Sequence, residues 1–162
     1  MKSFKKITVA LLTIVLLRSS FAMPVYAAEG SKVETLDATV TVHEAPVHEN
    51  ESSRSTTFID TSIDVYFESG NMYRTICTGT SITASVLGVK DIEIQKKGIL
   101  GTWRTVATSS GGEAYNVISM SASLVYGGAV EGETYRVCCT HYGNVDEYRE
   151  LYHETSGMIC VY

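Results

Sequence analysis

Proline is nearly absent from this 162-residue chain, with only 2, and tryptophan occurs once. A Pro-rich or collagen-like polymer is excluded by that scarcity, and an intrinsically disordered one by a hydrophobic content of 44%. Long apolar runs are also scarce. Only Ile7 to Leu17 (ITVALLTIVLL) qualifies, which excludes a protein crossing the membrane many times as helices. Basic residues are few, 13 against 18 acidic, for a formal net charge of −5. No G-x-S-x-G, Walker loop, H-E-x-x-H or GxGxxG is present, so no familiar catalytic signature stands out.

What is present begins with an address. Lys2, Lys5 and Lys6 precede the apolar run, Arg18 ends it, and Val25 and Ala27 suit positions −3 and −1 of a signal-peptidase site. Residues 1–27 are therefore expected to be a signal peptide; a retained anchor is the competing reading. An apolar stretch of eleven residues is too short to cross about 30 Å of hydrocarbon as a helix. There is no cysteine at the cleavage point and no hydrophobic tail at the GMICVY terminus, so no stable membrane anchor is expected and the product should be secreted. All 18 acidic residues follow position 27 but only 9 basic ones do, a net of −9. Such a balance repels phosphate backbones and anionic lipid heads, so no nucleic acid partner is expected.

Residues 28–57 are polar, acidic and free of aromatic side chains, and cannot bury enough apolar surface to offset the entropy of ordering. They read as a flexible arm with one possible short strand at 38–42 (ATVTV). Its His43-Glu44 and His48-Glu49-x-Glu51 pairs read as a solvated tether rather than a metal site. Asn50-Glu51-Ser52 is a glycosylation sequon that matters only in a eukaryotic pathway.

From residue 58 the texture changes to alternating apolar and polar residues punctuated by Gly pairs, with no helical periodicity. Strands are predicted at 59–68, 73–86, 90–97, 102–109, 117–126, 134–142 and 157–162. Ile92 and Ile94 share one face, as do Ile118, Met120, Ala122 and Leu124. The expected fold of residues 58–162 is thus all-β: a single antiparallel β-sandwich of about seven strands.

The stretch Val130-Glu-Gly-Glu-Thr-Tyr135-Arg-Val137 resembles the approach to strand F in immunoglobulin and fibronectin type III domains, where a turn precedes a Tyr packed at the sandwich corner. Residues 92–97 followed by 102–106 resemble a C–C′ hairpin. The resemblance implies an immunoglobulin-like sandwich. The whole chain also resembles small exported proteins of unassigned function from Gram-positive bacteria, a likeness that implies no activity.

Four cysteines in an exported chain suggest two disulfides. Alternation turns Cys139 inward with Tyr135 and Val137, and Cys138 outward. In the last strand Ile159 and Val161 should point in and Cys160 out. The expected pairing is Cys77–Cys139 with Cys138–Cys160. A metal site built from Cys138, Cys139, His141, His153 and Cys160 is not expected, because vicinal cysteines on a strand face opposite ways. No cofactor is expected either.

Residues 140–154 form the most distinctive segment, with Tyr142, Tyr148, Tyr152, His141, His153 and four carboxylates. It reads either as a recognition loop, since Tyr binds sugars and peptides at low entropic cost, or as a twisted hairpin or short helix covering a sheet edge. Trp103 reads as a core anchor or a sugar-stacking platform. The candidate binding residues are Tyr142, Tyr148, Tyr152, His153 and Trp103. The expected function is a secreted, non-enzymatic module recognising an extracellular glycan or protein. A small effector or bacteriocin-like toxin is the alternative, and a weak hydrolase using Asp146, Glu147 or Glu154 the third reading.

Overall fold

A computed structural model of the protein describes residues 32–43 and 58–162. The expected signal peptide and most of the expected arm lie outside the described residues. Among the described residues nine strands follow in order: β1 Glu34–Thr35, β2 Thr39–His43, β3 Phe58–Glu68, β4 Asn71–Lys97, β5 Trp103–Ser109, β6 Gly112–Tyr126, β7 Thr134–Asn144, β8 Tyr148–Glu154 and β9 Met158–Ile159. No helix occurs among the described residues. The all-β expectation holds.

The ladder differs from the expected one in two ways. Hydrogen bonds join all nine strands into one curled sheet, and β1 runs parallel to β5, so pairing is mixed rather than purely antiparallel. The sheet also takes in part of the segment read as an arm. The short strand anticipated at 38–42 is β2, paired with the 119–123 stretch of β6, and β1 precedes it.

The two predicted strands 73–86 and 90–97 are one strand, β4, of 27 residues. Straight, it would reach about 90 Å, far beyond a domain of this size, so it must bend. The ladder shifts register between Gly79 and Ala84, and Asp91 adopts a φ of 52°. Each bend hands β4 to new neighbours. Residues 71–80 lie between β3 and β6, 86–89 between β6 and β7, and 92–97 between β7 and β5.

The curl encloses a core of Met72, Ile76, Leu87, Val89, Ile92, Ile94, Val106, Met120, Leu124 and Val137. Ile92 and Ile94 point inward as expected, as do Met120, Ala122 and Leu124. Ile118 does not. Asn116 has a φ of 57°, and the irregularity places Val117 inside in its stead. Near the end of the chain Tyr135 is fully buried. Its hydroxyl accepts from Val130 N (3.0 Å) and points at Gly128 O (3.4 Å), closing the turn at residues 128–133.

All four cysteines are free thiols, which corrects the expected bridges. On β4, Cys77 shares the outward face with Tyr73 and Thr75, whereas Ile76 and Thr78 point in. It therefore points away from Cys139, which is inside as predicted. Cys160 is also buried, while Ile159 and Val161 are exposed, the reverse of the expected parity. Only Met158–Ile159 pair as strand, against Tyr135 and Thr134, and Cys160 hydrogen-bonds through its backbone at the level of Glu133. Cys138 lies five residues further along β7, about 17 Å away, against the roughly 4.4–6.8 Å between Cα atoms that a disulfide needs.

Candidate functional site

Residues 140–154 are a β-hairpin, β7 and β8 joined at residues 145–147, and not a loop. The register opposes Thr140 to Tyr152, Tyr142 to Glu150 and Asn144 to Tyr148. Since directly opposed residues share a face, Tyr142, Tyr148 and Tyr152 all stand on the outer face of the sheet. His153 is opposite Cys139 and belongs to the inner face. Three of the predicted binding residues are brought together, and His153 is separated from them.

The tyrosines are joined there by residues from other strands. Gly88 of β4 lies opposite both Tyr142 and Glu113 of β6, and Val86 lies opposite Tyr115. The Tyr142 ring lies directly over Gly88, occupying the space a Cβ would take. A glycine inside a strand marks such a close approach. Tyr142 and Tyr148 have ring centroids 6.0 Å apart. The Lys90 ammonium sits 5.6 Å and 5.9 Å from those two centroids.

Each hydroxyl of this cluster is tied to a carboxylate. Tyr142 donates to Glu113 (2.8 Å), as Tyr115 also does, and Tyr148 donates to Glu150 (2.6 Å). Lys90 donates to Glu150 and to the Tyr148 hydroxyl (3.3 Å). These bonds set the electrostatics. Glu150 is held below the usual carboxylate range by Lys90 first and Tyr148 second, and Glu113 by Tyr115 and then Tyr142. The Tyr142 phenol is pushed up by burial and by Glu113. All these groups therefore keep one protonation state around neutral pH: ionised carboxylates, neutral phenols and a charged Lys90.

The same outer face continues as a polar ladder. Thr105 and Gln95 donate to Glu93 (3.0 and 2.7 Å), Arg136 donates to Gln95 (2.8 Å) and to Glu154 (3.2 Å), and Tyr152 donates to Glu154 (3.3 Å). Cys138, outward as predicted, is nonetheless buried. Trp103 lies beyond this ladder, half-buried, with the Arg136 guanidinium 4.5 Å from its ring centroid.

On the inner face a second cluster collects donor atoms. His141 Nε2 is 3.2 Å from His153 Nδ1 and 3.6 Å from the Cys139 sulfur, and its Nδ1 is 2.7 Å from the Thr78 hydroxyl. His141 is fully buried. Burial first, and then His153, lower its pKa to about 4 from 6.5. Burial raises the Cys139 thiol to about 12. Both are thus neutral at pH 7, and no three-ligand metal cluster is found among the described residues. The arrangement works as a core hydrogen-bond network.

Reading residues 140–154 alone missed Lys90, Glu113 and Tyr115. They come from strands distant in sequence, and the one local signal was a glycine, Gly88, amid β-branched residues. Neither a family model nor a curated protein matches the sequence.

Proposed function

We propose that the protein is a secreted, non-enzymatic binding module that engages an extracellular glycan or protein through the outer face of β4, β6, β7 and β8. An immunoglobulin-like use of the curled sheet as a rigid platform is part of this reading. The observation that carries it is the cluster of Tyr115, Tyr142 and Tyr148, each hydroxyl fixed by a carboxylate. Rings held in this way present apolar area with little side-chain entropy left to lose on binding. Exposed Tyr115, Tyr148 and Tyr152 offer stacking surface, and Glu113, Glu150 and Lys90 offer groups that bond sugar hydroxyls or peptide amides.

The electrostatics favour binding over glycoside hydrolysis. A general acid for that reaction needs a carboxyl whose pKa is raised. Glu113 and Glu150 are shifted the other way.

The test is a glycan array and a pull-down from cell-surface fractions with the parent protein and with Tyr148→Ala and Tyr142→Ala variants. Binding that weakens about tenfold or more in either variant, with no turnover of the ligand, supports the reading. Binding that both variants retain, or hydrolysis of the captured ligand, removes it.

A further inference from the structure

The hairpin joining β4 to β5 carries a second surface, remote in chemistry from the tyrosines. Lys97 and Trp103 form the last pair of the ladder. Beyond them Gly98 N donates to Thr102 O (2.7 Å) and Gly101 N to Gly98 O (2.8 Å), with Gly101 at a φ of 79°. This short turn places Ile99 and Leu100 at the tip. They are 105% and 91% exposed, while no other large apolar residue described exceeds 64%. Tips of turns ordinarily carry Gly, Asn, Asp or Ser. Two adjacent large aliphatic side chains left uncovered by the described residues mark an interaction site for an outside occupant.

Charge identifies that occupant. Residues 96–104 (KKGILGTWR) contain Lys96, Lys97 and Arg104 and no acidic residue. Residues 58–162 as a whole hold 12 acidic and 7 basic residues, so three of the seven cations sit on this one hairpin end. Glu133 pairs with Lys96 (3.2 Å), leaving Lys97 and Arg104 without a salt bridge among the described residues. Trp103 stands at the base of the tip, with Lys97 Nζ 5.9 Å from its ring centroid. Aliphatic residues at the apex with a Trp and cations one step behind is the order of polarity found across a bilayer interface.

We propose that the 98–101 tip docks the protein on a phospholipid surface bearing anionic headgroups, with Ile99 and Leu100 among the acyl chains. Gly101 and Thr102 separate Leu100 from Trp103, a span of at most roughly 10 Å, which is of the order of the roughly 5–10 Å depth of an interfacial insertion. A convex tip enters a fluid bilayer without needing a preformed cavity, as a protein partner would have to supply. Lys97 and Arg104 then lie at the headgroups, while Glu133, at the same end of the sheet, is paired with Lys96.

Trp103 is the sole tryptophan, so its fluorescence reports on this tip even when another segment holds the chain on a vesicle. The full chain is mixed with vesicles of phosphatidylcholine and phosphatidylglycerol, with and without acyl-chain bromination. The expected result is a blue shift and quenching by the brominated lipid, weakened by salt and by omission of phosphatidylglycerol. In an Ile99→Asp/Leu100→Asp variant, half-maximal quenching should require at least about tenfold more lipid. A Lys97→Glu/Arg104→Glu variant gives an independent check and should lose the preference for phosphatidylglycerol. Unquenched Trp103, equal quenching in pure phosphatidylcholine, or quenching unchanged in both variants overturns the proposal. So does a dimer in sedimentation velocity that disappears in the Ile99→Asp/Leu100→Asp variant while lipid has no effect, which would assign the tip to a second copy of the chain.

Discussion

Thr78 Oγ1 and His141 Nδ1 lie 2.7 Å apart across the interior, although 63 residues separate them in sequence. Their contact joins the first half of β4 to β7, two stretches that share no ladder pairing. Thr78 also faces the Gly88 carbonyl (3.4 Å), so one hydroxyl touches the imidazole and the backbone that underlies Tyr142. Inner network and outer tyrosine face are thereby built on the same few residues of β4.

The buried imidazole makes stability pH-dependent. In the unfolded chain His141 takes up a proton near pH 6.5; in the fold it does so only near 4. Between those values the unfolded state binds more protons than the native one. Stability is then complete above about pH 6.5 and falls as pH drops toward 4, by about 3 kcal/mol. Urea midpoints at pH 7.5 and 5 should differ accordingly, and a His141→Gln variant should show a smaller difference. Equal midpoints for the parent at the two pH values would disprove this.

Arg74 is buried on the inner face of β4, and its Nε and Nη2 find no partner among the described residues. Nη1 donates to Met72 O (3.1 Å). Burial lowers its pKa to about 10, partly countered by Glu34 and Tyr126. A buried cation this poorly compensated costs stability, and Met would fill similar space without a charge. Arg74→Met should raise unfolding free energy by about 1–3 kcal/mol, read as a higher thermal midpoint. A lower midpoint would mean that the guanidinium has a partner in solution.

Gly88 and Tyr142 test how the outer face is assembled. A methyl group at position 88 would overlap the Tyr142 ring. Gly88→Ala should therefore cost about 1–3 kcal/mol, and should weaken ligand capture by displacing Tyr142. In a Gly88→Ala/Tyr142→Ala variant the cost should shrink, because the clash is gone. Additive losses in a denaturation cycle would refute the packing relationship.

The thiols give a chemical fingerprint. Cys77 is half-buried, whereas Cys138, Cys139 and Cys160 are buried and Cys139 is also held protonated by its surroundings. Native protein should alkylate fastest at Cys77, and unfolded protein at all four positions without a reductant. Fewer than four reactive thiols after unfolding would restore a disulfide.

Local pattern reached far in this chain. Period-two alternation located the sheet from residue 58 onward and put Ile92, Ile94 and Cys139 inside, whereas Tyr142, Tyr148 and Tyr152 stood out only through the composition of residues 140–154. It failed where backbone irregularities invert parity, at Asn116 and again between Val117 and Ser119, so that Val117 is inside, Ile118 is not, and Met120 is inside once more. It failed again past Ile159, where pairing stops and Cys160 turns inward. The cysteine pairing fell for a related reason: strand parity says which side a residue faces, and says nothing about how far along a neighbouring strand its partner lies.

From the sequence alone came the all-β class, the acidic character, the scarcity of catalytic motifs and the sidedness of the strands at 90–97, 134–142 and most of 117–126, because those depend on composition and on neighbours two residues apart. Only the tertiary structure decided that β4 is one bent strand serving four partners, that β1 runs parallel to β5, and that Lys90, Glu113 and Tyr115 join Tyr142 and Tyr148. Such outcomes depend on which distant strands pair and where bulges shift the ladder. That choice is made by total burial over the whole sheet, a quantity that no short window of residues contains.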